Sequence, residues 1–161
     1  STLTLNNANA YKILKNEHLS RVPEKLKVKR VERYEANVIE IENYGYKNQY
    51  EAIHKRIIYI DKNGIDIRGE DNIYCPMEIT FDIRFYLDST IKTLLINNGK
   101  NILLKLKNGV GWKFSSSLDK INIASNRNIN INNQPITNEH IHLTGETKEL
   151  ITVVRWSLKK Y

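Results

Sequence analysis

Apolar and polar residues alternate over short runs along this chain, and clusters of Asn, Gly and Asp separate one run from the next. A period of two marks strands buried on one face, and residues that tolerate positive φ mark the turns between them. Helical periodicity is scarce. The clearest hairpin joins Ile57-Ile58-Tyr59-Ile60 to Ile65-Asp66-Ile67-Arg68 through Asp61-Lys62-Asn63-Gly64, whose Asn-Gly pair suits a tight turn. A second joins residues 102–106 to 110–114 through Lys107-Asn108-Gly109 and puts Trp112 and Phe114 on one face.

Further strands are predicted over residues 78–87, 120–124, 128–131, 140–143 and 150–158. Leu26, Val28 and Arg30 alternate with Lys25, Lys27 and Lys29, which reads as a strand with one solvated basic face. A phase change at Arg30-Val31 predicts a bulge or bend. Residues 9–19 are expected to form a helical turn or a loop, ended by Arg21-Val22-Pro23, because proline disfavours helix at the residue before it. The pattern therefore predicts an all-β fold, an antiparallel β-sandwich or stacked sheets with a short irregular or helical segment near the N-terminus. No repeat, linker or low-complexity stretch divides the 161 residues, so a single domain is expected over 1–161.

Composition narrows the partners. No apolar stretch approaches the roughly 20 residues that cross a bilayer, so no membrane span is predicted. No basic segment followed by an apolar one opens the chain, and a cytoplasmic location is expected ahead of a periplasmic one. Cys75 is the single cysteine, which rules out an internal disulfide and argues against a cysteine-based zinc site. Twenty-five Lys and Arg against 18 Asp and Glu give a net charge of +7, a balance that favours anionic partners. The abundance of Ile, Lys and Asn together also follows from an AT-biased coding sequence. No RNA-stacking signature is present, so nucleic acid is not the expected partner, while an acidic glycan and a membrane surface stay open.

Candidate chemistry centres on histidine, tyrosine and basic side chains. His140 and His142, two apart in a predicted strand, share a face and form half of a metal-ligand pattern without an identifiable third ligand. His54, in Ala52-Ile53-His54-Lys55-Arg56, follows the tyrosine-rich stretch Tyr44-Gly45-Tyr46-Lys47-Asn48-Gln49-Tyr50. Tyr44, Tyr46, His54 and Arg56 suit proton transfer and neutralisation of a carboxylate during sugar-chain elimination. The same residues also suit half-buried strand positions with structural contacts. Lys25, Lys27, Lys29, Arg30 and Arg33 form the densest basic cluster; with Tyr50, the first four are glycan-binding candidates. An edge strand protected by lysines explains that cluster equally. Arg68-Gly69-Glu70-Asp71 reads as a charged turn after the first hairpin.

Several ordered stretches resemble the C-terminal β-rich part of the bacterial heparinase II/III family of polysaccharide lyases. They are Ser1-Thr2-Leu3-Thr4-Leu5, His54-Lys55-Arg56-Ile57-Ile58-Tyr59-Ile60, Arg68-Gly69-Glu70-Asp71, Ile83-Arg84-Phe85, residues 106–114 and Val153-Val154-Arg155-Trp156. The most specific are Asn108-Gly109-Val110-Gly111-Trp112-Lys113-Phe114 and the Arg-Gly-Glu-Asp run. The resemblance implies a lyase with an N-terminal helical toroid and C-terminal sheets that cleaves uronate-containing glycans by β-elimination. This chain resembles the β portion alone, without the toroid. Inactivity in isolation is then expected, with a separately encoded helical domain as partner or self-association through the uncovered surface.

Two departures from the family pattern touch the chemistry. The family's His-Asp-Gly-Tyr run reads Asn43-Tyr44-Gly45-Tyr46 here, and Tyr86 and Asp88 follow Ile83-Arg84-Phe85 where relatives carry histidines. The resemblance implies a divalent metal such as zinc, for which the site looks incomplete; no cofactor is expected. Two alternatives stand beside a lyase part: a non-catalytic module binding acidic polysaccharide, and a folded remnant of a decayed gene.

Overall fold

The computed structural model of the chain describes residues 2–11, 26–129 and 135–161. These residues build two antiparallel sheets. The smaller orders its strands β11 (Asn122–Ile129), β12 (Pro135–Glu146), β7 (Thr80–Tyr86), β1 (Thr2–Leu5) and β2 (Ala8–Asn9). The larger orders β3 (Leu26–Glu32), β4 (Ala36–Asn43), β5 (Ile53–Asp61), β6 (Asp66–Tyr74), β13 (Ile151–Lys160), β10 (Gly111–Ser116), β9 (Asn101–Lys105) and β8 (Lys92–Ile96). One helical turn, α1 (Lys47–Tyr50), bridges β4 and β5.

Alternation along the strands puts one apolar face of each sheet against the other. Leu3, Leu5, Phe81, Ile83, Ile141 and Leu143 of the smaller sheet meet Ile73, Ile102, Leu104, Phe114, Val154 and Trp156 of the larger in one core. The rings interlock across the gap, with Phe85 5.2 Å from Phe114 and 4.8 Å from Trp156, centroid to centroid. Each such ring contributes on the order of 1.5–3 kcal/mol through burial. This interlayer packing stacks the two sheets as the sequence pattern predicts.

Both predicted hairpins form. In the first, joining β5 to β6, the Asp61 carboxylate accepts from the backbone N–H of Asn63, Ile65 and Asp66 at 3.2, 2.7 and 2.8 Å, and Gly64 supplies a φ of 66°. The second joins β9 to β10 around Gly109 at φ 86°, and it does place Trp112 and Phe114 on the core face. The predicted strand at 128–131 ends as the tail of β11, with residues 130 and 131 outside the described part. The expected helical turn or loop at 9–19 lies outside it from residue 12 on.

Two local expectations are corrected. Strand β3 pairs with β4 in unbroken register from Leu26↔Asn43 to Glu32↔Asn37, so no bulge sits at Arg30-Val31. The phase change has another cause: β3 is an edge strand exposed along most of its length, where apolar alternation no longer reports a buried face. The Arg68-Gly69-Glu70-Asp71 run is likewise no turn, because it lies in the middle of β6. Gly69 is there because a Cβ would come within 2.1 Å of Trp156 Cζ2 on the facing strand β13. The strands β4 and β8 were not anticipated at all.

Candidate functional site

Strand β5 carries His54 and Arg56 two residues apart, so both side chains leave the same face, toward the core. Strand β6 sets Asp71 directly opposite Arg56, and β13 brings Trp156 from the other side, opposite Gly69. The result is a buried cage around one carboxylate. Oδ1 of Asp71 accepts from His54 Nε2 at 2.7 Å and from Arg56 Nε at 2.6 Å. Its Oδ2 accepts from Arg56 Nη2 at 3.1 Å and Trp156 Nε1 at 2.9 Å. An ionised carboxylate only accepts, which places a proton on His54 Nε2.

Asp71 is fully buried, while His54 and Arg56 are 8% and 6% exposed. Burial by itself would raise the Asp71 pKa, but the hydrogen bond from His54 and the Arg56 charge hold it below the ordinary carboxylate value. The Arg56 guanidinium also lies over the rings of Phe85 and Trp156, 5.7 and 5.9 Å from their centroids. The cage therefore links a charged group of β5 to the aromatic centre of the core.

The tyrosine-rich stretch divides between interior and surface. Tyr46 is 1% exposed, donates its phenol to the Leu3 carbonyl, and has its pKa pushed up to about 12, with burial the leading cause. Tyr50 packs partly against the core and accepts a hydrogen bond from Gln49 Nε2 at 2.9 Å. Tyr44 stays outside, donating to Glu42 Oε2 at 3.0 Å beneath the Lys27 ammonium, which stands 5.6 Å from its ring centroid. Asn43 pairs with His54 in register, and its Oδ1 accepts from the Gly45 N–H at 2.9 Å. An asparagine there holds the turn that aims Tyr44 outward and Tyr46 inward.

The basic strand is matched by acids. Lys27 lies 3.7 Å from Glu42, Arg30 lies 2.8 Å from Glu32, and Lys29 pairs with Glu40 in register. These carboxylates offset the positive field that the sequence suggests. Lys25 lies outside the described residues. The structure thus brings His54 and Arg56 together, and keeps Tyr44, Lys27 and Lys29 on the β3–β4 surface.

Sequence reasoning missed Asp71 and Trp156 as partners. A signal existed: Asp71 and Ile73 share the phase of β6, so an inward aspartate needed cationic neighbours, and β5 offered two.

A second polar cluster lies on the smaller sheet, on the face away from the core. His142 Nε2 is 2.5 Å from Asp82 Oδ1, and the Asp82 Oδ2 accepts from Thr4 Oγ1 at 3.3 Å. His140 and His142 do share a face, with ring centroids 5.7 Å apart. Among the described residues no group of three His, Cys, Asp or Glu is placed to hold a metal ion. His142 and Asp82 alone do not fit the divalent ion that the resemblance implies.

The fold and its two clusters define a class: an all-antiparallel, two-sheet domain with a charged cage sealed in its core. The family model Heparinase II/III-like, C-terminal matches residues 1–157, and the chain belongs to that family. No curated protein sequence matches significantly. Among solved structures, heparan sulfate lyase HepC from Pedobacter heparinus superimposes with a TM-score of 0.78 at 14% identity, covering 100% of this chain and 24% of that one. A heparinase III gene product gives 0.72 at 12% identity, covering 99% and 23%. Another heparinase III gives 0.70 at 15%, again covering 99% and 23%. At these identities the likeness is one of fold. The chain spans about a quarter of the length of these proteins.

Proposed function

We propose that this chain is the β part of a lyase that cleaves uronate-containing polysaccharides by β-elimination, and that it is inactive until a helical domain joins it. In that reaction a base removes the proton at C5 of the uronate and the bond from C4 to the glycosidic oxygen breaks. A C4–C5 double bond forms, and the departing oxygen takes a proton. The step needs a base and an acid that reach the sugar.

The observation that carries this reading is where the proton-transfer candidates lie. Tyr46 and His54 are buried and already bonded to Leu3 and Asp71, and the outward Tyr44 has its phenol donated to Glu42 with neither His54 nor Arg56 beside it, so the candidates do not converge on a polymer. Family membership over residues 1–157 supports this reaction class. Within this reading the cage of His54, Arg56 and Asp71 ties β5 rigidly to β6. Its residues act as positioning groups.

The test is reconstitution. The chain alone is expected to give no absorbance from unsaturated uronate when mixed with heparan sulfate, and to do so after a helical toroid domain of the same family is added. Eliminase activity from the chain alone would overturn the need for a partner. Tight association with such a domain, without elimination of any uronate polymer, would overturn the lyase reading.

A further inference from the structure

We propose that the outer face of the larger sheet carries a sugar site, a hollow between Tyr59 and Arg155 that seats one uncharged pyranose unit of a glycan chain. This goes beyond the reading above, because it assigns a binding site away from the cage and requires neither elimination nor a helical domain.

Register builds the hollow. On β13, Val154 and Trp156 point into the core, so alternation turns Arg155 and Ser157 outward. Ser157 stands opposite Ser115 of β10 on one side and Arg68 of β6 on the other, and Arg68 stands opposite Tyr59 of β5. One step along the strands, Arg155 stands opposite Glu70, and Glu70 opposite Ile57. The two serines are short where Tyr59, Arg68 and Arg155 are long. The difference leaves an open cavity of about 380 Å³, lined by these outward residues and by Ser117. That volume falls within the range of about 300–1,000 Å³ typical of small-ligand sites.

The lining has two chemistries. Ile57 and Tyr59 give an apolar wall, and the Arg68 guanidinium, 5.8 Å from the Tyr59 ring centroid, steadies the ring. Toward β10 the lining turns to hydroxyls with protons left to donate. Ser157 Oγ bonds no other described residue. Ser115 Oγ accepts from Asn101 Nδ2 at 2.7 Å and Ser117 Oγ from the Arg155 backbone N–H at 3.0 Å, so each keeps its own proton for a ligand. Arg155 commits Nε to Glu70 Oε2 at 2.8 Å, and its two terminal nitrogens bond no described residue. A pyranose presents the complement, a C–H face for the wall and a rim of hydroxyls that both donate and accept.

Charge pairing selects an uncharged unit. Glu70 takes Arg155 at 2.8 Å, and Asp66 takes Arg68 through two nitrogens at 2.6 to 3.1 Å. With each guanidinium beside its own carboxylate, an anionic group entering the hollow would meet Glu70 as well as Arg155. A sugar hydroxyl meets no such conflict, because Glu70 accepts from it and Arg155 donates to it.

The experiment titrates the 161-residue chain with the uncharged trisaccharide of N-acetylglucosamine, by calorimetry at low and at high salt. The expected result is saturable binding of equal affinity at both salt levels. Affinity should fall about tenfold in Ser157→Leu, which fills the hollow, and in Arg155→Met, which removes donors to the sugar. Lys27→Ala, at the β3 edge of the same sheet, should leave it unchanged. Arg155 is exposed, so R155M carries the test even where S157L does not fold.

No saturable binding overturns the site, as does binding that neither variant weakens. A heparan sulfate oligosaccharide that binds more tightly than the trisaccharide, and loses that advantage in R155M, overturns the choice of an uncharged unit. Adenosine bound more tightly than the trisaccharide, and weakened in S157L, overturns the choice of a sugar. These outcomes are separate from reconstitution: an empty hollow leaves the lyase reading intact, and a failed reconstitution leaves the hollow intact.

Discussion

Trp156 Nε1 donates to Asp71 Oδ2 at 2.9 Å, tying the aromatic centre of the core to a fully buried carboxylate. The bond crosses the β6–β13 pairing, between residues 85 positions apart in the chain. It also depends on Gly69, opposite Trp156, leaving room for the indole.

Asp71→Asn should be the most damaging conservative change in the cage. It keeps the shape but removes the negative charge that His54 and Arg56 share in the buried cage, a loss of about 3–5 kcal/mol. Trp156→Phe removes one donor from an oxygen that Arg56 also serves, so about 1–3 kcal/mol is expected. Urea unfolding of both variants checks the order. A larger loss in W156F would show that ring packing, not charge pairing, dominates.

The pH dependence of the cage follows from the depressed Asp71 pKa. The folded value lies below the ordinary 3.8, so the folded state binds fewer protons than the unfolded state in the interval between the two. Its contribution is complete above 3.8 and is lost as pH falls through the folded value. Acid unfolding of the wild type should therefore steepen below that point, and D71N should lack this limb. Parallel acid limbs in the two proteins would remove Asp71 as its source.

Much of the fold was legible because its signals are local. The Asn-Gly hairpin, the Gly109 turn and the shared face of Trp112 and Phe114 all depend on residues within a few positions of one another. The cage was not legible, because His54, Asp71 and Trp156 meet only through register across β5, β6 and β13. Gly69 misled for a related reason: a glycine in a charged run reads as a turn until the indole opposite it is known. On β3 the lysines were visible, but the glutamates that oppose them belong to β4, a strand the pattern did not reveal.

Gly69→Ala tests the close approach directly. The added methyl would sit 2.1 Å from Trp156 Cζ2, so the indole must move and its bond to Asp71 must lengthen or break. Overpacking of this kind costs about 1–3 kcal/mol. Near-ultraviolet circular dichroism should change along with stability. An unchanged tryptophan signal at full stability would show that the backbone relaxes freely at this position.

The pairing of β3 with β4 predicts an increase rather than a loss. Glu40 is 3.0 Å from Lys55 and faces Lys29, and Glu42 is 3.7 Å from Lys27, so these acids mask the cations beside them. A Glu40→Gln, Glu42→Gln double variant should be retained longer on heparin than the wild type, with the difference shrinking as salt rises. Equal retention at low salt would show that the lysines are not held back by these carboxylates.

His140 supplies a separate titration at milder acidity. Burial leads the causes that lower its pKa below 6.5, followed by the His142 and Arg84 charges, and Asp82, Tyr86 and, further along β12, Glu146 are the other titratable groups that β7 and β12 place on its face. The native state therefore holds this ring neutral where the unfolded chain protonates it. Stability is complete above 6.5 and declines as pH falls through the folded value. His140→Gln should flatten the stability profile in that window while leaving the lower Asp71 limb intact. A decline in His140→Gln as steep as that of the wild type over this window would remove His140 as its source.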